Sequence, residues 1–157
     1  MSTTRSALCL THADDTTRRA VQLGKALEPG DTILLSGGVG AGKTHFARSM
    51  IQSLLKAPED VPSPTFTLVQ SYDTTKGPLW HADLYRLTSS MEVEELGLTE
   101  AFEDAICIVE WPDRLGRLQP DTALHIELAV GADDDSRGLT ATWSAEAWAK
   151  KLKVWQS

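Results

Sequence analysis

The residues best suited to chemistry in this sequence form a glycine-rich loop directly before a predicted helix. Its pattern, Gly37-x-x-x-x-Gly42-Lys43-Thr44, has the spacing of a phosphate-binding loop. Glycines allow successive backbone N–H groups to point at one anion, and the start of the following helix adds its positive dipole. Lys43 can then reach the outer phosphates, and the Thr44 hydroxyl can ligate Mg²⁺. We therefore expect a nucleoside triphosphate and magnesium to bind here. The loop residues expected to contact the nucleotide are Gly38, Val39, Gly40, Ala41, Gly42, Lys43 and Thr44.

An acidic residue follows a second apolar run. Residues 105–109 form a short continuous apolar run, which is typical of a buried strand, and Glu110 comes directly after it. Because ligands bind at the carboxyl ends of strands in an open sheet, we expect Glu110 to contact the magnesium ion, directly or through water. A solvated glutamate at a strand end is the alternative. Trp111 comes next, and it either walls the site or covers the edge of the core.

A third candidate region has an alternating pattern. If residues 79–87 form a strand, then His81, Asp83 and Tyr85 share one face. Asp83 on such a face can orient an attacking water or a magnesium-bound water. The alternative is a hairpin with one wet side, which antiparallel strands commonly show. The pattern alone leaves both interpretations open.

A hydroxyl-rich segment precedes this strand. Ser63, Thr65 and Thr67 follow the helix predicted after the phosphate loop, where switch segments sense a γ-phosphate. We interpret the three residues as switch-like. Hydroxyl groups and prolines also occur in ordinary turns, so the interpretation depends on where the fold places them.

The elements that must position these residues alternate between strands and helices. We predict helices at residues 14–27, 43–56, 90–102 with an interruption near Gly97, and 145–154. Asp14 or Asp15 is expected to cap the first helix. The strands are predicted at residues 8–10, 32–36, 65–72, 79–87, 105–109, 125–130 and 139–143. This interleaving predicts the α/β class, with residues 1–157 forming a single-domain phosphate-loop NTPase-like fold whose central mixed sheet is flanked by helices.

Composition and charge exclude several classes of protein. The 157 residues suit one compact domain, and 41% hydrophobic with 24% charged residues is ordinary for a globular protein. No apolar run approaches the roughly 18 residues of a membrane span, and the first ten residues lack a signal-peptide pattern. We therefore expect a cytoplasmic protein without a membrane partner. The net charge of −7 argues against direct binding of nucleic acid, which needs a basic surface.

The two cysteines give a separate expectation. Cys9 and Cys107 each lie in an apolar run, so both are expected to be buried, inert thiols. Two cysteines this far apart are too few to chelate zinc alone.

Taken together, the motifs resemble those of the bacterial TsaE (YjeE) ATPases. The resemblance is carried, in order, by residues 37–44, 63–69, 81–87 and 109–112. It implies a role in making threonylcarbamoyladenosine at position 37 of tRNA, with ATP and Mg²⁺ as cofactors and slow ATP hydrolysis by the protein alone. It also implies action with the TsaB and TsaD proteins, and contact with tRNA only through them.

The same resemblance implies roles for individual residues. Lys43, Asp83 and Glu110 would be the catalytic residues, with Lys43 on the phosphates and Asp83 needed for hydrolysis. Thr44 and Glu110 would hold magnesium, and Trp111 would lie near the nucleotide.

Three other functions are compatible with a phosphate loop. A small-molecule kinase usually needs a lid or several arginines, yet Lys76 and Arg86 are the only Lys or Arg residues between positions 56 and 110. A GTP-binding switch needs an Asn-Lys-x-Asp motif to read guanine, and the sequence contains no asparagine. A module that binds ATP without hydrolysing it stays open. Residues from 131 onward carry no motif that favours any of these functions.

Overall fold

In the computed structural model, which describes residues 3–38, 40–64, 67–133 and 135–155, seven strands form one mixed sheet. The strands are β1 (Thr4–Leu10), β2 (Thr32–Ser36), β3 (Val69–Thr74), β4 (Gly77–Asp83), β5 (Ile106–Glu110), β6 (Leu124–Val130) and β7 (Arg137–Trp143). Their order across the sheet is β1-β7-β6-β2-β5-β4-β3. The four inner strands β4, β5, β2 and β6 pair in parallel, whereas β7, β1 and β3 join antiparallel. The predicted central mixed sheet is confirmed.

Helices cover both faces of the inner strands. The helices are α1 (Ala13–Gly24), α2 (Lys43–Leu54), α3 (Ser90–Glu95), α4 (Leu98–Asp104) and α5 (Glu146–Lys151), with 3₁₀ helices at Pro112–Leu118 and Leu152–Trp155. Successive residues of β2 point to opposite faces. Ile33 and Leu35 therefore pack in the cluster that contains α1 and α2, and Leu34 packs in the cluster that contains α3 and α4. All three are fully buried, which explains why the run is continuously apolar.

The two longest helices have 12 residues each. Within the described part of the chain, no helix has both the length and the apolar character needed to cross a membrane.

Helix α1 differs from its prediction at both ends. It begins at Ala13 and ends at Gly24, and its N-cap is His12 instead of an aspartate. The Asp15 carboxylate lies in the first turn and accepts the backbone N–H groups of Thr11 (3.0 Å) and His12 (3.3 Å). The aspartate thus satisfies free donors at the helix start from inside the helix, as in the second half of a capping box.

Strand β4 is shorter than predicted, and this changes the candidate face. It ends at Asp83, whose carboxylate accepts the Tyr85 backbone N–H at 3.0 Å, so the chain turns out of the sheet there. Tyr85 is 49% exposed and is not part of the strand. The interpretation as a wet hairpin face is wrong, because β4 pairs with β5 as well as β3 and both His81 and Asp83 are buried.

The remaining boundaries shift by a few residues. Helix α2 ends at Leu54, the predicted interruption at Gly97 separates α3 from α4, and the last predicted helix divides into α5 and a 3₁₀ turn. The strand predicted at residues 65–72 begins at Val69, and residues 65 and 66 lie outside the described part of the chain.

The prediction for the cysteines is half right. Cys107 is buried in the inner strand β5, and burial raises the pKa of its thiol to about 12. Cys9 is exposed, because β1 is an edge strand with one face open to solvent. An apolar run on an edge strand therefore does not imply burial of every member.

Candidate nucleotide-binding site

The phosphate loop connects the carboxyl end of β2 to the start of α2. Gly37 passes so close to β6 that a Cβ atom would lie 2.3 Å from the Leu128 carbonyl oxygen. Gly42 is the N-cap of α2 and has a φ of 101°, in the left-handed region. Both positions therefore require glycine, which accounts for the spacing of these two residues in the motif. Val39 lies outside the described residues.

A cavity of about 530 Å³ opens between this loop and the carboxyl ends of the neighbouring strands. Four of the predicted loop residues line it, together with side chains from β4, β5 and the turns that follow them. The lining residues are Gly40, Gly42, Lys43, Thr44, His45, Asp83, Tyr85, Glu110 and Trp111. Gly38 is exposed on the loop and Ala41 is buried beneath it; neither lines the cavity. The volume lies in the range of small-molecule and cofactor sites.

The Lys43 ammonium folds back over the loop. Its Nζ donates hydrogen bonds to the carbonyl oxygens of Gly37 (2.7 Å) and Gly38 (2.9 Å). It also lies 4.2 Å from the centre of the Trp111 ring, within the range of a cation–π contact. Burial lowers the pKa of Lys43 from its ordinary value, and the nearby Glu110 and Asp83 carboxylates act in the opposite direction. The lysine thus lies among groups that hold a cation, at the mouth of the loop.

Two carboxylates stand side by side at the edge of the sheet. Asp83 and Glu110 are register partners at the ends of the parallel strands β4 and β5, and both are nearly fully buried. Glu110 is also the register partner of Leu35 at the end of β2. The strand order therefore brings the two acids to the phosphate loop, although they are far from the loop and from each other in sequence.

Thr44 and Glu110 form the part of the site that suits a metal ion. The Thr44 hydroxyl donates to Glu110 Oε1 at 2.9 Å, so two hard oxygen ligands meet at the first turn of α2. Among the described residues, no group of three or more His, Cys, Asp and Glu side chains could hold a metal. The two oxygen donors of Thr44 and Glu110 fit Mg²⁺, which usually binds one or two protein oxygens together with phosphates and water.

His81 holds the other oxygen of the same carboxylate. Its Nε2 lies 2.7 Å from Glu110 Oε2, and both side chains are buried. A carboxylate only accepts, so Nε2 donates, and Nδ1 is left without a partner in the described structure. The sequence indicated His81 only as a member of a polar face; its pairing with Glu110 depends on the parallel contact between β4 and β5.

Trp111 forms a wall of the cavity and also packs against the core. Its backbone is left-handed, with φ 59° and ψ 55°, which is rare for a bulky residue. This turn places the indole ring 4.8 Å from the Tyr85 ring, centre to centre. The sequence left open whether Trp111 walls the site or covers the edge of the core, and in the structure it does both.

Two of the three switch-like residues lie outside the cavity. Ser63 and Thr67 are exposed, and within the described part of the chain neither lines the cavity. The Thr67 hydroxyl accepts a hydrogen bond from the Gln70 amide at 3.0 Å. Thr65 lies outside the described residues.

Two side chains near the loop were missed at the level of sequence. His45 Nε2 lies 3.0 Å from the Thr17 hydroxyl and 3.3 Å from the Ala13 carbonyl oxygen, linking α2 to α1 beside the cavity. Arg137 donates to the carbonyl oxygens of Gly40 and Ala41. Neither belongs to a recognisable motif, and both contacts join residues far apart in the chain.

The fold is phosphate-loop NTPase-like. It has a buried parallel strand, a phosphate loop followed by a helix, and acids at the ends of neighbouring strands. Residues 10–139 match the sequence model of the family described as "Threonylcarbamoyl adenosine biosynthesis protein TsaE". The chain belongs to the TsaE family, as its motifs had indicated.

Individual relatives agree with this assignment. A Rickettsia bellii protein named tRNA threonylcarbamoyladenosine biosynthesis protein TsaE is 35% identical over 137 residues, covering 87% of this chain and 94% of the relative. A Bacillus subtilis protein of the same name is 39% identical over 116 residues, covering 73% and 71%. The crystal structure of Bacillus subtilis YdiB superposes with a TM-score of 0.79 at 26% identity, over 98% of this chain and 95% of that chain.

Proposed function

We propose that this protein is a magnesium-dependent ATPase that serves in the formation of threonylcarbamoyladenosine at position 37 of tRNA. The observation that carries the proposal is the convergence of Lys43, Thr44 and Glu110 on one cavity at the phosphate loop. Membership of the TsaE family supports the link to tRNA modification.

Each element of the site has a role in binding ATP. The loop N–H groups and the start of α2 attract the phosphates. Lys43 exchanges its contacts with the loop carbonyls for contacts with phosphate oxygens. Thr44 and Glu110 are the residues that would hold Mg²⁺, which neutralises charge on the phosphates when bound. Trp111 lies along the wall of the cavity, where it contacts the nucleotide.

Asp83 is the residue we assign to the attacking water. Its carboxylate lines the cavity beside Glu110 and belongs to a different strand. An acceptor at this position orients a water molecule toward the terminal phosphorus. The water oxygen then bonds to that phosphorus, the bond from the phosphorus to its bridging oxygen breaks, and ADP leaves with the electron pair. One proton of the water stays on the inorganic phosphate formed, and the other passes to solvent.

We further propose that the protein acts in the cytoplasm with TsaB and TsaD and reaches tRNA through them. The net charge of −7 supports an indirect contact, since a protein that binds tRNA itself needs a basic surface. In this proposal, Ser63, Thr65 and Thr67 respond to the terminal phosphate as a switch. Hydrolysis is slow for the protein alone and is stimulated by the partners.

The proposal is tested by reconstitution. Purified protein is mixed with TsaB and TsaD, tRNA and the activated threonylcarbamoyl donor, and both ATP turnover and modified tRNA are measured. We expect both signals to require this protein and to be lost with Lys43→Ala. Modification of tRNA at full rate without this protein would contradict its role. An equal rate of ATP turnover with and without TsaB and TsaD would contradict the stimulation.

A further inference from the structure

Arg137 lies against the back of the phosphate loop. It is the first residue of β7, in the part of the sequence that carries no motif. Its Nε donates to the Ala41 carbonyl oxygen at 3.2 Å, and its Nη2 donates to the Gly40 carbonyl oxygen at 3.3 Å. Its Nη1 donates to the carbonyl oxygen of Ser136 at 2.7 Å, which fixes the guanidinium group relative to the turn before β7.

These contacts fix the direction of two successive peptide units. In a trans peptide the C=O and the following N–H point in opposite directions. Because the Ala41 carbonyl points at Arg137, the Gly42 N–H points away from it, and Gly42 lines the cavity. The Gly40 carbonyl likewise points at Arg137, while the Ala41 N–H donates to the Gly38 carbonyl oxygen at 3.1 Å.

The loop needs such a contact because glycines flank Ala41. Gly40 has a φ of 83° and Gly42 a φ of 101°, and glycine adopts positive and negative φ with similar ease. The peptide units between them can therefore rotate at little steric cost, and a rotated unit would point a carbonyl oxygen into the phosphate site. Hydrogen bonds from a cation are stronger than neutral ones, so the guanidinium group selects the orientation in which carbonyls face outward.

We infer that Arg137 is a positioning residue for nucleotide binding, which holds the Gly40 and Ala41 carbonyls outward so that the loop stays ready for phosphates. It acts through the loop backbone. The inference rests on the proposed function, since it assumes that the loop binds a nucleotide. This role adds a residue from the β6–β7 hairpin to a site otherwise built from β2, α2, β4 and β5.

The test compares Arg137→Ala, Arg137→Lys and the control Arg5→Ala, which removes an exposed arginine from the neighbouring strand β1. Affinity for Mg·ATP and Mg·ADP is measured by isothermal titration, well below each variant's unfolding temperature. We expect roughly tenfold or greater weakening with Arg137→Ala for both nucleotides, since two charge-assisted hydrogen bonds are lost. Arg137→Lys should restore part of the affinity, because lysine keeps the charge but lacks the planar guanidinium group that donates to both carbonyl oxygens. Arg5→Ala should bind as the wild type does.

A second readout separates positioning from general stability. Amide hydrogen exchange without nucleotide should be faster at residues 40–42 in Arg137→Ala, while the β6–β7 amides keep their protection. Unchanged exchange at the loop, or wild-type affinity in Arg137→Ala, would overturn the inference. Equal loss of protection in the β6–β7 hairpin would also overturn it, because it would assign Arg137 a role in the sheet alone. If the wild type bound no Mg·ATP, the proposed function would fail first, and faster exchange at the loop would still support the action of Arg137 on the backbone.

Discussion

Replacing Glu110 by glutamine tests the proposed catalytic centre with the smallest change of shape. The carboxylate is 2% exposed and accepts hydrogen bonds from Thr44 (2.9 Å) and His81 (2.7 Å). Glutamine keeps the volume but removes the charge, and its NH₂ group must face one of the two partners. The Thr44 hydroxyl can rotate to accept from this NH₂ group while His81 donates to the amide oxygen. Both bonds then become neutral, and at about 1 kcal/mol each the two together lose about 2 kcal/mol. If that loss falls on the transition state, turnover decreases about 30-fold.

The assay measures ATP turnover in the presence of TsaB and TsaD over a range of Mg²⁺ concentrations. We expect Glu110→Gln to lower the maximal rate and to raise the Mg²⁺ concentration needed for half of it, while affinity for ATP changes less. The matched control is Glu103→Gln, an exposed glutamate of α4, which should leave both quantities unchanged. Wild-type turnover with an unchanged Mg²⁺ dependence in Glu110→Gln would refute the assignment of Glu110.

Four further predictions concern Lys43, Asp83 and the two cysteines. Lys43→Ala removes a charge-assisted phosphate contact of about 1.5–3 kcal/mol, so the Kd for Mg·ATP should rise roughly 10- to 150-fold in a titration; an unchanged Kd would exclude the phosphate role. Asp83→Asn should lower partner-stimulated turnover more than nucleotide affinity, and equal turnover would remove Asp83 from the reaction. A thiol reagent at pH 8 should label one cysteine per native chain, the exposed Cys9; labelling of two would contradict the burial of Cys107. Burial raises the pKa of Cys107 from 9.0 to about 12. Above pH 9 the thiol therefore stays neutral in the folded protein but ionises in the unfolded chain. The contribution of Cys107 to the free energy of unfolding should then fall by about 1.4 kcal/mol per pH unit.

The sequence predicted those parts of the site that local physics determines. A strand buried on both faces must be apolar throughout, which identifies β2 and β5. The loop needs glycine at its three left-handed positions, Gly37, Gly40 and Gly42. The acid at the end of β5 could be placed from a general property of parallel sheets, whose strands end at one edge. The apolar runs and the glycine positions depend on neighbouring residues alone, and they agree with the structure.

Other features depend on contacts that no local pattern encodes. The burial of His81 requires β4 to pair with β3 and β5 together, which the alternation of residues 79–87 does not reveal. Exposure of Cys9 follows from β1 lying at the edge of the sheet. Arg137 meets the loop only because β6 lies next to β2 and β7 next to β6. These three features thus depend on strand order, whereas the chemistry of the loop is determined by consecutive residues.

The central claim is that the loop before α2 captures a triphosphate with the help of magnesium. Its most direct test is a calorimetric titration of ATP, with and without Mg²⁺, into the nucleotide-free protein, with GTP as a competitor. We predict saturable binding of one ATP per chain, which Mg²⁺ strengthens and which GTP displaces poorly. Absence of saturable heat with Mg·ATP, or binding of GTP as tight as that of ATP, would contradict it.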